Sequence, residues 1–128
     1  MPLDIKIKRA TDSQHNVTLT VELGGSLDTA TAPQLEKQLT AELNDQVKDL
    51  VFDLAKLTFI SSAGLRVFAA ARKWTKQRGE QVSFVNLQPQ IQEVFDIVKA
   101  LPGVSVFGSI AEFDQYIATR QRKVVEGE

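Results

Sequence analysis

The sequence predicts an α/β domain, with a mixed sheet of about five strands and four helices in the order β-β-α-β-α-β-α-β-α. Two runs with a period of two open the chain. Three short apolar runs then alternate with four helical patterns, an order that favours parallel strands joined by right-handed crossovers. The 128 residues are 43% hydrophobic and 24% charged, which suits one packed core and argues against disorder. No linker or internal repeat interrupts them. The expectation is a single domain over residues 1–128, with its core at about 3–118 and a charged tail over 119–128.

The elements follow in chain order. Leu3, Ile5 and Ile7 alternate with polar residues, as do Val17, Leu19, Val21 and Leu23. Both runs read as half-buried strands. The polar segment Thr11–Asn16 between them makes an antiparallel pair, and Gly24–Gly25 closes the second strand. Thr31 and Gln34 fit a capping box and Pro33 a first helical turn, ahead of a Leu35, Leu39, Leu43 stripe. Residues 50–54, LVFDL, read as a central strand covered on both sides or a strand deep in the sheet. Asp53 stands near its end, where a carboxylate needs loop amides, water or a polar pocket. A helix follows, with Leu65, Phe68, Ala69 and Arg72 on one face and Val67, Ala71 and Trp74 beside them. Arg72, Lys73, Lys76 and Arg78 load its C-terminus with the charge that its dipole favours, and Gly79 caps it.

Residues 82–87, VSFVNL, form the next strand. Ile91, Val94, Phe95 and Val98 give a helix opened near Pro89 and stopped by Pro102–Gly103. Val104–Phe107 is the fifth strand. Ser109 and Glu112 make a capping box for a last helix with Ile110, Phe113 and Ile117 inside, and the tail beyond it is expected to fray.

Composition excludes several functions. A net charge of −1 gives no general field for nucleic acid or an anionic membrane. There is no cysteine, and the only histidine, His15, sits in the polar turn. Thiolate chemistry, a catalytic triad and a histidine metal site therefore lack their residues. Neither phosphate-binding glycine motif is present, so no cofactor or metal is expected. The chain start has no signal-peptide core and no stretch is long and apolar enough for a membrane span. A cytoplasmic location is the simplest expectation.

The segment Phe59–Leu65, FISSAGL, carries the chemistry that remains. Ser61 or Ser62 can cap a helix by accepting an amide hydrogen, a contact worth about 1 kcal/mol. A hydroxyl in that place can also carry a phosphate against free amides and the positive end of the helix dipole. A serine nucleophile is the third reading, but Ile60 stands where a nucleophile elbow needs glycine and no base histidine is available.

With these residues in place the chain resembles the STAS family, the domain of anti-sigma factor antagonists and of sulfate-transporter tails. The likeness runs from about Leu3 to Ile117 and rests on element order and three motifs. These are Gly25–Ser26–Leu27–Asp28, Leu50–Val51–Phe52–Asp53–Leu54 and Ile60–Ser61–Ser62–Ala63–Gly64–Leu65. The resemblance implies Ser62, two positions before Gly64, as a phosphoacceptor, with Asp28 close to it and Asp53 supporting the same pocket. It implies a regulatory binding protein and not an enzyme. Its partners would be an anti-sigma factor with serine-kinase activity and a serine phosphatase. Ser61 replaces the aspartate that often precedes the acceptor, and Ala63 replaces the usual hydroxyl residue after it, which leaves Ser61 as an alternative acceptor. The other readings are an unphosphorylated STAS subunit, in a signalling scaffold or a lipid-transport ATPase complex, and a small-molecule or nucleotide binder.

Overall fold

In the computed structural model, the residues described are 2–100 and 109–127. Strands β1 (Leu3–Thr11) and β2 (Val17–Leu27) precede helix α1 (Ala32–Glu42), β3 (Val47–Ile60) and α2 (Ser62–Gln77). Strand β4 (Gln81–Val85), α3 (Pro89–Ala100) and α4 (Ile110–Val125) complete the described elements. The sheet order is β1-β2-β3-β4, antiparallel at its first pairing and parallel at the next two. The mixed sheet and four helices match the expected class. The expected fifth strand at 104–107 and the Pro102–Gly103 stop lie outside the described residues.

Strand order explains the layering. Right-handed crossovers from β2 to β3 and from β3 to β4 step in the same direction, so α1 and α2 fall on one face. Leu19, Val21, Leu50, Phe52 and Leu54 are buried on that face. Thr18, Thr20, Glu22, Asp49, Val51 and Asp53 alternate with them and are only partly covered or exposed. The LVFDL strand is therefore covered on one side, not on both. Phe52 stacks on Phe84 at 5.3 Å, and Phe68 tilts against both rings at 4.9 and 5.0 Å. Such pairs add about 0.5–1.5 kcal/mol each beyond the area they bury.

Several boundaries differ from expectation. β2 does not close at Gly24–Gly25 but runs to Leu27 with register shifts against β3. Gly25 adopts φ +88°, and a Cβ there would meet the Pro2 carbonyl oxygen at 2.2 Å. On α2 the buried residues include Val67, Phe68, Ala71 and Thr75, whereas Ala69 and Arg72 face outward. On α3, Val98 is exposed although it completes the apolar stripe. The segment from 119 does not fray. It forms the last turns of α4 through Val125, and its Gln121 is 2% exposed.

β3 is the longest strand, and it outruns β4, whose pairing stops at Asp53↔Val85. Side chains serve the backbone edge beyond that point. The Ala55 N–H donates to Asp53 Oδ1 at 3.1 Å. Gln88 Nε2 donates to the Ala55 carbonyl at 2.7 Å and Gln90 Nε2 to that of Thr58 at 3.2 Å. Gln121 pairs with Ile60 in both directions. Its Oε1 accepts the Ile60 N–H at 2.9 Å, and its Nε2 donates to the Ile60 carbonyl at 2.8 Å. Glutamine side chains thus stand in for a strand neighbour, and at Ile60, which is fully buried, the peptide groups must be paired.

Candidate functional site

The C-terminal ends of β2 and β3 lie side by side, and both feed directly into helix starts. Leu27 pairs with Ile60, and the Ser61 N–H donates to the Leu27 carbonyl at 2.9 Å. Asp28 and Ser61 therefore leave adjacent strands at the same edge. This is where a parallel α/β sheet commonly places its binding groups. The loops here are short: LTFI belongs to β3, and Ser61 alone separates that strand from α2.

Asp28 organises the entry to α1. Its Oδ1 accepts the N–H of Ala30 at 3.0 Å and of Thr31 at 3.1 Å. Thr31 does not form the expected capping box, since its side chain makes no cap bond. Its hydroxyl instead accepts the Asp28 N–H at 2.9 Å and donates to the Ser26 carbonyl at 2.8 Å. The β2–α1 turn is thereby closed by its own residues.

The start of α2 is built differently. Ser61 is the N-cap residue, yet its side chain makes no cap bond. Its Oγ is buried and has no hydrogen-bond partner among the described residues. The expectation that a serine hydroxyl caps this helix is corrected here. The cap comes from α4: Asp114 Oδ1 accepts the Ser62 N–H at 2.7 Å, and Asp114 Oδ2 accepts the Ser62 hydroxyl at 2.8 Å. A carboxylate is the stronger acceptor and complements the positive end of the helix. Ser62 is only 9% exposed beneath this contact.

Gly64 allows the close approach of α2 to the strand ends. A Cβ at this position would lie 2.6 Å from Leu27 Cγ and 2.9 Å from Ile60 Cγ1. Its part in the motif is thus explained by packing.

Asp53 is not brought to Ser62. It lies within β3, opposite Glu22 and Val85, and not at a strand end. At about 3.3 Å per residue it is roughly 20 Å along the strand from Ile60. Its Oδ1 accepts from the Ala55 amide and from Asn86 Nδ2. Asp53 instead lines an open concavity of about 300 Å³ with Asp4, Lys6, Glu22 and Lys56. No group of acidic or histidine side chains among the described residues could hold a metal ion. Nor is any helix there long and apolar enough to cross a membrane.

Sequence reading missed Asp114 and Gln121. Gln121 had a signal: it continues the Phe113, Ile117 stripe at the next i+4 position, and all three residues are buried. A polar residue ending an apolar stripe marks a buried amide that must find partners. Asp114 gave no such signal, since nothing local indicates a partner 52 residues away.

Known proteins can now be compared with this geometry. The STAS domain family matches residues 8–113 of the chain. The chain belongs to that family. This STAS domain is 39% identical over 75 residues to BtrV of Bordetella bronchiseptica, a candidate anti-sigma factor antagonist by name. That match covers 59% of this chain and 65% of BtrV, just under two thirds. It is 30% identical over 77 residues to the anti-sigma-B factor antagonist of Staphylococcus aureus, covering 60% of this chain and 71% of that one. Among solved structures, the unphosphorylated anti-sigma factor antagonist SpoIIAA superposes with a TM-score of 0.60 at 19% identity, covering 73% of this chain and 83% of that one. The phosphorylated form of SpoIIAA from Bacillus gives 0.58 at 19% identity, covering 73% and 82%. At such identity the likeness is one of fold.

Proposed function

We propose that this chain is an anti-sigma factor antagonist, a regulatory protein that binds an anti-sigma factor and so frees a sigma factor. Ser62 is the phosphoacceptor, with Ser61 the alternative, and Asp28 flanks the docking edge. The anti-sigma factor is also the serine kinase, and a serine phosphatase resets the switch. In the transfer, Ser62 Oγ forms a bond to the γ-phosphorus of a nucleoside triphosphate held by the kinase. The bond from that phosphorus to the bridging oxygen breaks, the nucleoside diphosphate leaves, and the hydroxyl proton passes to a base on the kinase. The observation that carries this reading is the place of Ser62 at the first turn of α2, beside the end of β2. A phosphate there adds about −1.5 to −2 charges to the surface that a partner would cover.

The test is affinity capture of the native protein followed by phosphosite mapping. The expected result is an anti-sigma factor kinase among the captured proteins and phosphate on Ser62, with Ser62→Asp abolishing capture. Unmodified serines together with undiminished capture by Ser62→Asp would sink the reading.

A second reading is favoured by the burial of Ser62 under Asp114. In it the chain is an unphosphorylated STAS subunit of a signalling scaffold or a lipid-transport ATPase complex. Capture of membrane transporter subunits, with no phosphate on Ser62, is its expected outcome.

A further inference from the structure

The two donors of Ser62 converge on one carboxylate. The amide and the hydroxyl both go to Asp114, at 2.7 and 2.8 Å. That carboxylate occupies the anion position at the start of α2, where a first-turn amide and the helix dipole favour negative charge. A phosphate carried on Ser62 Oγ would seek the same amide from a bond's length away. With a dianion in place, Asp114 would lose its two donors and face a like charge at contact distance.

We propose that Asp114 and a phosphate on Ser62 are mutually exclusive occupants of the α2 N-terminus. Phosphorylation then frees the first turns of α4 from the sheet edge, and docked α4 shields Ser62 from modification. The biological meaning of this coupling rests on Ser62 being the phosphoacceptor. The coupling itself is a property of the Ser62–Asp114 pair and is reciprocal, as any linkage must be.

Other contacts define how far the release extends. Phe113, beside Asp114, is buried in the core, so displacing the carboxylate also withdraws an apolar anchor. Further along, Gln121 grips both peptide groups of Ile60, and Arg120 bonds Glu93 on α3 at 3.1 Å. These ties involve neither Ser62 nor Asp114 and hold the C-terminal half of α4. The helix therefore opens from its start and stays tethered at its end. Arg66, one turn beyond Ser62 on α2, is exposed and takes part in none of the ion pairs among the described residues. At i+4 it is placed to compensate a phosphate once Asp114 has left.

Amide hydrogen exchange on the full chain, with phosphoserine incorporated at position 62, tests this directly. Exchange over the first turns of α4 is expected to quicken about tenfold or more, while the turn around Gln121 keeps its protection. Ser62→Glu should act in the same direction and Ser62→Ala much less. The deciding arm is Ser62→Glu combined with Asp114→Asn. The Asn amide can donate to the new carboxylate, so protection of α4 should return. Unchanged α4 exchange in both the phosphoserine and Ser62→Glu proteins would overturn the proposal. So would a double variant as open as Ser62→Glu alone, since a purely steric effect predicts that. The experiment needs no kinase. An absence of phosphate in native protein would end the acceptor reading and leave this result standing, and the converse also holds.

Discussion

Two helices start on the same edge of the sheet, and their first turns are satisfied in opposite ways. The turn into α1 is closed by Asp28, whose carboxylate accepts amides two and three residues away. α2 begins with two serines, either of which could cap it, yet its cap is Asp114 from a helix 52 residues later. The first start is complete in a short segment. The second is complete only when α4 has docked. A self-contained turn holds in any state of the domain, whereas a borrowed cap ties one element's fate to another's. The edge that carries the candidate phosphoacceptor is thus the one whose local order depends on a long-range contact.

That contrast can be broken at five points, in order of expected effect. Gln121→Ala removes the partner of both Ile60 peptide groups and leaves them buried. The cost is about 2–4 kcal/mol, read as a lower urea midpoint with early exchange of α4. Asp114→Ala should cost about 2 kcal/mol, since a charge-assisted pair is lost, and should uncouple α4 from α2. Asp28→Ala, by comparison, should cost about 1 kcal/mol, as an ordinary cap does, and leave exchange in α4 unchanged. If the two aspartate variants proved equal in both respects, the distinction between local and borrowed caps would fail.

Ser61→Ala should have the opposite sign. Its hydroxyl is buried without a partner among the described residues, so removing it should stabilise the fold by up to about 1 kcal/mol. A destabilised Ser61→Ala protein would mean that this hydroxyl does have a role in the folded chain. The smallest expected effect lies at the far end of the sheet. Asp12 accepts the amides of Gln14 at 2.8 Å and Asn16 at 2.9 Å. Those bonds, that to Asn16 first, hold its carboxyl below the usual carboxylate range. A lowered folded pKa contributes stability above the ordinary value, which is lost as pH falls through the folded one. Asp12→Asn should slightly flatten the acid limb of a stability-against-pH curve, measured by thermal melts. At neutral pH, where the charged carboxylate contributes in full, its loss should be smaller than that of Asp28→Ala.

Much of the fold could be read locally. Alternation placed Leu19, Val21 and Val17 in a strand facing the core, and the i, i+4 stripe of Leu35 and Leu39 placed α1. Other readings failed where one local rule met a competing contact. Gly24–Gly25 looked like a strand end, but a glycine pair is equally what a strand needs where it shifts register and meets another backbone. Asp53 looked like a strand-end carboxylate because LVFDL is where the apolar run stops. β3 continues because Gln88, just before α3, and side chains of α3 and α4 supply edge bonds that β4 does not reach. The charged tail looked frayed because its composition is polar, although its Gln121 is among the most deeply buried polar residues described.

The sequence by itself determined the types and order of the described elements, most of their core faces and the position of Ser62 at a helix start. These follow from periods of two and 3.6 residues and from turn chemistry, which act over a few neighbours. Only the tertiary structure decided that Ser61 caps nothing, that Asp53 lies far from Ser62, and that Asp114 and Gln121 hold the end of β3 to α4. Those outcomes depend on which unpaired amide meets which side chain after the chain has closed on itself, and no local pattern encodes that meeting.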